Sequence, residues 1–168
     1  SFSRRQRQMC IRDSIVAEEF IVALKELNFR AEKIPNFIEI NNILKNTTGW
    51  TIKTVPNISP PEEFFSYLSK KKFTTTCWLR SMSQIDYLEE PDMFHDVFAH
   101  VPLLSNKEYT SFFKEIGQIA MSVIDDPVKL KKLQRIYWFT IEFGLIKKHD
   151  KFKIYGAGII SSKEESKN

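Results

Sequence analysis

The spacing of apolar residues predicts a mostly helical chain from its first regular segment onward. Ile15, Ala17, Phe20, Ile21, Leu24 and Leu27 fall on or near one helical face, and Ser14 can cap a helix running to about Phe29. Pro35-Asn36 opens a second helix with Ile38, Ile40, Ile43 and Leu44 apolar, closed by Thr47-Thr48-Gly49 in the manner of a C-terminal glycine. Trp50 to Val55 alternates and predicts a strand. Ser59-Pro60-Pro61-Glu62 has a capping-box pattern, so a short helix should follow to about Leu68. Phe73 to Arg80, β-branched and aromatic, predicts a second strand that includes Cys77. A loop over 86–92 ends in Glu90-Pro91-Asp92, and Pro91 suits the first turn of the helix that follows. Ser105 or Asn106 caps a helix to about Ile124. Asp125 or Asp126, followed by Pro127, starts what should be the longest helix, to about Lys148. The segment KFKIYGAGIISS has strand character broken by Gly156 and Gly158, and the chain closes on the polar KEESKN. The expected fold class is mainly α with a few short β-strands, without repeat or linker.

Composition narrows the function classes. The chain has 168 residues, 42% of them hydrophobic and 13% aromatic, with 14 Phe, enough for one well-packed domain. No apolar run reaches the ~18 residues of a membrane span. The net charge of +4 invites a nucleic-acid reading, but its distribution does not. Arg4, Arg5, Arg7 and Arg12 against Asp13 hold +3 of that +4, leaving +1 for all the rest. Lys70-Lys71-Lys72 and Lys131-Lys132 read as solvated helix surface, so neither nucleic acid nor membrane is an expected partner. Cys10 and Cys77 make no disulfide framework, which points to a reduced, cytoplasmic protein. The opening SFSRRQRQMCIRDS has no apolar core of a signal peptide. Residues 1–13 are expected to be a non-native or disordered leader, with a partial domain over 14–168.

Against this background two rare residues matter. Of three histidines in the chain, His95 and His100 share the segment EPDMFHDVFAHVPLL. A carboxylate, Glu142, sits in the apolar run IYWFTIEFGLI. Two imidazoles and a carboxylate that converge are the ligand set of a mononuclear non-haem iron(II) site. A spacing of five is about 140° on a regular helix, too far round for a shared face. Pro102 tends to end the helix before it, so His100 can swing from a frayed end toward His95. Either the pair are ligands, or one is a core histidine and the other a surface one. Glu142, flanked by Ile141 and Phe143, is either metal-bound or faces water; buried and unpaired it would cost several kcal/mol. Asp96 points elsewhere on a helix, and His149, in KKHDK, is expected to be solvated.

Read together, TGWTIKTVPNIS, the strand ending WLR, SQIDYLEEPDMFHDVFAHVPLLSN, IYWFTIEFGLI and YGAGIISS resemble the aromatic amino acid hydroxylase family, in particular its bacterial phenylalanine 4-hydroxylases, in order and spacing. The resemblance runs from about Ser14 to Ser162 and implies that family's catalytic-domain fold, cut at the C-terminus. It implies that His95, His100 and Glu142 bind Fe(II), with tetrahydrobiopterin as two-electron co-substrate and O2 as oxidant. The implied reaction converts L-phenylalanine to L-tyrosine; separately from the resemblance, the chain is expected to be a monomer. By position, Arg80 matches the arginine for the substrate carboxylate, a task suited to its planar donor pair. Leu88 and Pro91 match the substrate-side loop, Trp138 the aromatic wall of the amino acid pocket, and Ser161 a serine supporting substrate and a histidine ligand. Phe64 matches the phenylalanine that stacks on the pterin, Asp96 falls on the pterin side or behind the ligands, and Tyr137 matches a tyrosine near the iron. Two positions depart from the pattern. Ala99 stands where the family has glycine, so a methyl is expected to crowd the turn or oppose a positive φ. Glu164 replaces another glycine, although Glu165 keeps its place. Alternatives are tyrosine or tryptophan hydroxylation, a zinc hydrolase, which the lack of an HExxH base disfavours, and an inactive metal-binding fragment.

Overall fold

The computed structural model describes residues 15–29, 34–81 and 90–162. The 1–13 leader, the Ser14 cap, Cys10, Leu88, Glu164 and Glu165 lie outside the described residues. Six α-helices and four strands appear among those described: α1 (Glu18–Glu26), α2 (Phe37–Thr47), β1 (Thr51–Val55), α3 (Pro61–Ser69), β2 (Lys72–Thr76), α4 (Lys107–Ser122), α5 (Pro127–Tyr137), β3 (Leu145–Lys148), β4 (Lys151–Ile154) and α6 (Ala157–Ser161). Three tighter or wider helical turns stand between them: a π-helical turn over His95–His100, a 3-10 turn over Val101–Ser105, and a second π-helical turn over Trp138–Glu142.

Strands β1 and β2 pair in parallel, Thr51 opposite Lys72 through Val55 opposite Thr76, with α3 as the crossover. Strands β3 and β4 form an antiparallel hairpin, Leu145 opposite Ile154. The main core gathers Trp50, just before β1, with Phe65, Phe73, Phe113, Leu104 and Ile141 from α3, β2, α4, the 3-10 turn and the second π turn. A second, smaller cluster joins Val16, Phe20, Ala99, Leu103, Ala157 and Ile160. It ties α1 and α6 to the histidine-bearing turn.

Local chemistry explains most boundaries. Asn36 Oδ1 accepts from the N–H groups of Ile38 (2.9 Å) and Glu39 (3.4 Å), capping α2. Gly49, at φ +78°, closes the same helix by donating its N–H to Leu44 O at 3.0 Å. Asn106 Oδ1 accepts from Tyr109 N–H (2.9 Å) to cap α4, and Asp126 Oδ1 accepts from Val128 and Lys129 N–H to cap α5.

Several expectations are corrected. Helix α1 starts at Glu18 with no side-chain cap, because its N-cap residue Ala17 carries no acceptor; Ala17 N–H donates to Ile154 O (2.8 Å) and Val16 bridges to that same strand end. The Ser59 capping box does not form; Pro61 occupies the first turn of α3, and Pro60 O accepts from Phe64 N–H. Strand β2 stops at Thr76, leaving Cys77 exposed beyond it and Arg80 off the strand altogether. Pro91 precedes the helical segment, whose capping falls to Asp92. The longest helix is α4, not the one from Pro127, which turns π-helical at Trp138 and gives way to β3. GAGIIS is helix α6 rather than broken strand. The lysines 131 and 132 and His149 are exposed, as expected of solvated residues.

Candidate metal centre

Both histidines ride on the first π-helical turn. A π-helix closes i→i+5 hydrogen bonds, and Val101 N–H donates to Asp96 O in that pattern. Residues five apart are then nearly one turn apart, so His95 and His100 share a side. The awkward spacing is resolved by this winding and not by fraying ahead of Pro102. Pro102 lies inside the 3-10 turn, and its missing N–H removes a donor that a continuing α-helix would need. Glu142 ends the second π turn, where Phe143 N–H donates to Trp138 O (3.1 Å). Thr140 Oγ1 donates to Ile136 O at 2.6 Å, drawing that carbonyl off the regular ladder.

The three side chains meet. His95 Nε2 and His100 Nε2 are 3.0 Å apart, Glu142 Oε1 is 3.1 Å from His100 Nε2, and Glu142 Oε2 is 3.4 Å from His95 Nε2. Among the described residues this is the set of His, Cys, Asp and Glu donors that converges as a metal site would. The two separations to Glu142 use different carboxylate oxygens; with one donor atom taken from each residue, the three atoms lie within 4.8 Å of one another. His95 Nδ1 lies 2.7 Å from Ser161 Oγ; with Nδ1–H donating to that hydroxyl, Nε2 is left as the lone-pair donor on the side of His100 and Glu142. Burial first, and the nearness of His100 second, push the His95 pKa down to about 4, so this imidazole is neutral at pH 7. Burial works against the Glu142 carboxylate, but His100, His95 and the N–H of Gly158 outweigh it and hold its pKa below the usual range. Two imidazole nitrogens facing each other across a carboxylate need a cation or a proton between them, so the donor set fits a divalent metal.

The surrounding residues fall into place unevenly. Arg80 is not a surface arginine: its Nε and Nη2 donate to Asp92 Oδ2 (3.0 Å) and Oδ1 (2.7 Å), and its backbone N–H to Oδ2 (2.8 Å). Its guanidinium carbon also stands 5.1 Å from the centre of the Phe94 ring. Asp92 in turn accepts from His95 N–H at 3.0 Å, joining Arg80 to the first ligand. Burial alone would raise the Asp92 pKa, yet these donors hold it below the carboxylate range. Asp96 does point away from the triad; its Oδ2 accepts from the N–H (2.7 Å) and hydroxyl (3.0 Å) of Thr76 on β2, and burial pushes its pKa up. Tyr137 is ringed by Phe64 (5.3 Å, edge to face), Phe113 (5.9 Å) and His100 (6.5 Å), and burial raises its phenol pKa well above the ordinary value. Trp138 is half in solvent against Phe143, not a core aromatic, and Pro91 is half-buried beside Asp92. The Ala99 methyl is accommodated: it packs in the second cluster with Ala157 and Ile160, and Ala99 is absent from the residues with positive φ. Sequence reasoning passed over Asp92 and Thr76; an aspartate three residues before His95 was the available capping signal.

The model of the biopterin-dependent aromatic amino acid hydroxylases matches residues 10–168. The chain belongs to this family. It is 42% identical over 161 residues to the phenylalanine-4-hydroxylase of Chromobacterium violaceum, covering 96% of this chain and 54% of that one. With the Ralstonia nicotianae phenylalanine-4-hydroxylase identity is 41% over 160 residues, 95% of this chain and 51% of the relative. The fold matches a C. violaceum phenylalanine hydroxylase structure with bound iron(III) and oxidized 7,8-dihydrobiopterin, at a TM-score of 0.92 and 41% identity, over 97% of this chain and 59% of that one. The expected catalytic-domain fold is therefore present, and the chain spans about half the length of the relatives it matches.

Proposed function

We propose that this chain carries the catalytic centre of a phenylalanine 4-monooxygenase, using iron(II), tetrahydrobiopterin and dioxygen to convert L-phenylalanine to L-tyrosine. The observation that carries the reading is the convergence of His95, His100 and Glu142, one donor atom from each lying within 4.8 Å of the others, with His95 Nδ1 against Ser161 Oγ. Support comes from relatives of the same family named for that reaction and from a similar structure holding iron and a biopterin. Bound iron(II) supplies the redox chemistry by which dioxygen, with two electrons from the tetrahydropterin, hydroxylates an aromatic ring.

The protein's own residues do the rest. Asp92 occupies the Nε–Nη2 edge of Arg80, so the Nη1–Nη2 edge is the one a substrate carboxylate would take. Trp138, Pro91 and Leu88 are assigned to the amino acid side chain's pocket. Phe64, set edge to face against Tyr137, offers a ring face for the pterin, with Asp96 behind it fixed to Thr76. Tyr137, its phenol kept protonated by burial, is a hydroxyl donor beside the ligands. Among the described residues no helix is long and apolar enough to cross a membrane, consistent with an enzyme of small polar substrates in the cytoplasm.

The test is to load the chain with iron(II) anaerobically and then supply phenylalanine, tetrahydrobiopterin and oxygen. Tyrosine formation that stops when any one of these is withheld supports the assignment. Turnover that persists without pterin, or a folded, iron-loaded chain that hydroxylates tyrosine or tryptophan in preference, overturns it.

A further inference from the structure

We propose that Phe94 is a positioning residue for Arg80: its ring supports the face of the guanidinium and so sets where the one edge left free meets a substrate carboxylate. The inference deepens the proposed function and rests on its assignment of Arg80 to that carboxylate.

The need for a support follows from how Arg80 is held. Asp92 takes the Nε–Nη2 edge, with Nε donating to Oδ2 (3.0 Å) and Nη2 to Oδ1 (2.7 Å). Two parallel hydrogen bonds align a planar group with its partner but leave it a hinge, about which the plane can tilt. Nη1 stands opposite that edge, so a tilt displaces it most, and Nη1 belongs to the edge that the substrate needs. A contact on the face of the plane limits the tilt. The guanidinium carbon lies over the Phe94 ring, 5.1 Å from its centre, within the range of a cation–π contact. The Arg80 side chain is only 10% exposed, which strengthens that attraction. Stacking uses the weakly hydrated face of the guanidinium and leaves its edge donors for carboxylates.

Phe94 is itself braced. Its ring packs on Phe98 with centroids 5.3 Å apart, and Phe98 packs on Phe29, just past α1, also at 5.3 Å. The backbones on either side are tied independently of the ring. Met93 N–H donates to Trp78 O (2.9 Å), and Arg80 N–H to Asp92 Oδ2 (2.8 Å). Removing the Phe94 ring therefore leaves both segments joined and takes away the support alone. Leucine refills much of the space but carries no ring quadrupole, so it separates the ring from its bulk.

Binding to the iron(II)-loaded chain is measured by anaerobic calorimetry with two ligands, L-phenylalanine and phenethylamine. Phenethylamine has the same ring and ammonium group but no carboxylate. The parent should bind L-phenylalanine more tightly. Phe94→Leu should weaken L-phenylalanine about 3- to 30-fold and leave phenethylamine within about twofold. Phe94→Tyr, which keeps the ring, should hold L-phenylalanine within about twofold of the parent. Phe94→Met, with an unbranched chain that adapts to irregular space, is a second ring-less variant should the leucine one fail to fold, and its expected result is the same. Equal loss for both ligands, loss for neither, or a tyrosine variant as weak as the ring-less one overturns the proposal. A parent that binds the two ligands equally overturns the Arg80 assignment itself, and the proposal falls with it.

Discussion

The two π-helical turns carry the ligands in opposite ways. The first, His95–His100, is sunk in protein: Asp96, Val97, Ala99 and His100 are all buried, and Asp92 anchors its start. The second, Trp138–Glu142, lies at the edge: Phe139 is 69% exposed while Ile141 is 0% and Glu142 9%. A buried turn can hold two ligands by packing on every side. A half-exposed turn has one apolar anchor, Ile141. Wider winding is common to both, because it brings side chains five apart, or a side chain at a helix end, onto the inward face.

That contrast can be broken or sharpened by substitution. The largest effect is expected at the start of the buried turn. Asp92→Ala strips a buried guanidinium of its partner and should cost about 3–5 kcal/mol in urea unfolding. A loss under about 1 kcal/mol would mean the first turn does not depend on this anchor. In the second turn, Ile141→Val should cost about 0.5–1.5 kcal/mol for one buried methylene, measured the same way. Farther out, Lys148 on β3 pairs with Glu19 on α1 at a partly exposed site, a link worth up to about 1 kcal/mol. The Lys148 hydrogen bond is the chief cause of the lowered Glu19 pKa, so its contribution is full above the unfolded value of 4.5 and fades as pH falls through the folded value. Glu19→Gln should thus destabilise at pH 7 and make no difference at pH 2; an equal loss at both would exclude the ion pair as its source. The smallest effect is expected at Phe139→Ala, within about 0.5 kcal/mol, and a core-sized loss there would erase the contrast between the turns.

The same contrast shows what the sequence could disclose. Apolar periodicity, Asn36, Gly49, Asn106 and Asp126 mark helix limits because they act within a few residues of one another. His95, His100 and Glu142 stood out because two rare residues and one carboxylate in an apolar run are conspicuous alone. The π winding was not legible: its causes, Pro102 and Thr140, are also ordinary helix-end and helix-surface residues. Asp92 reaches Arg80 across twelve positions, and that pairing depends on where the chain after β2 returns, as does Thr76 on Asp96. The exposure of Trp138 was not legible either, because hydrophobicity reports what can be buried, not which side of a turn meets water.

The central claim is that His95, His100 and Glu142 bind one iron as a facial triad. Iron K-edge X-ray absorption on the chain loaded with one equivalent of iron(II) under nitrogen tests it most directly. The account predicts five or six nitrogen and oxygen donors, scattering from two imidazoles, and loss of the iron in Glu142→Ala. A first shell containing sulfur, a spectrum without imidazole scattering, or full iron retention in Glu142→Ala would contradict it.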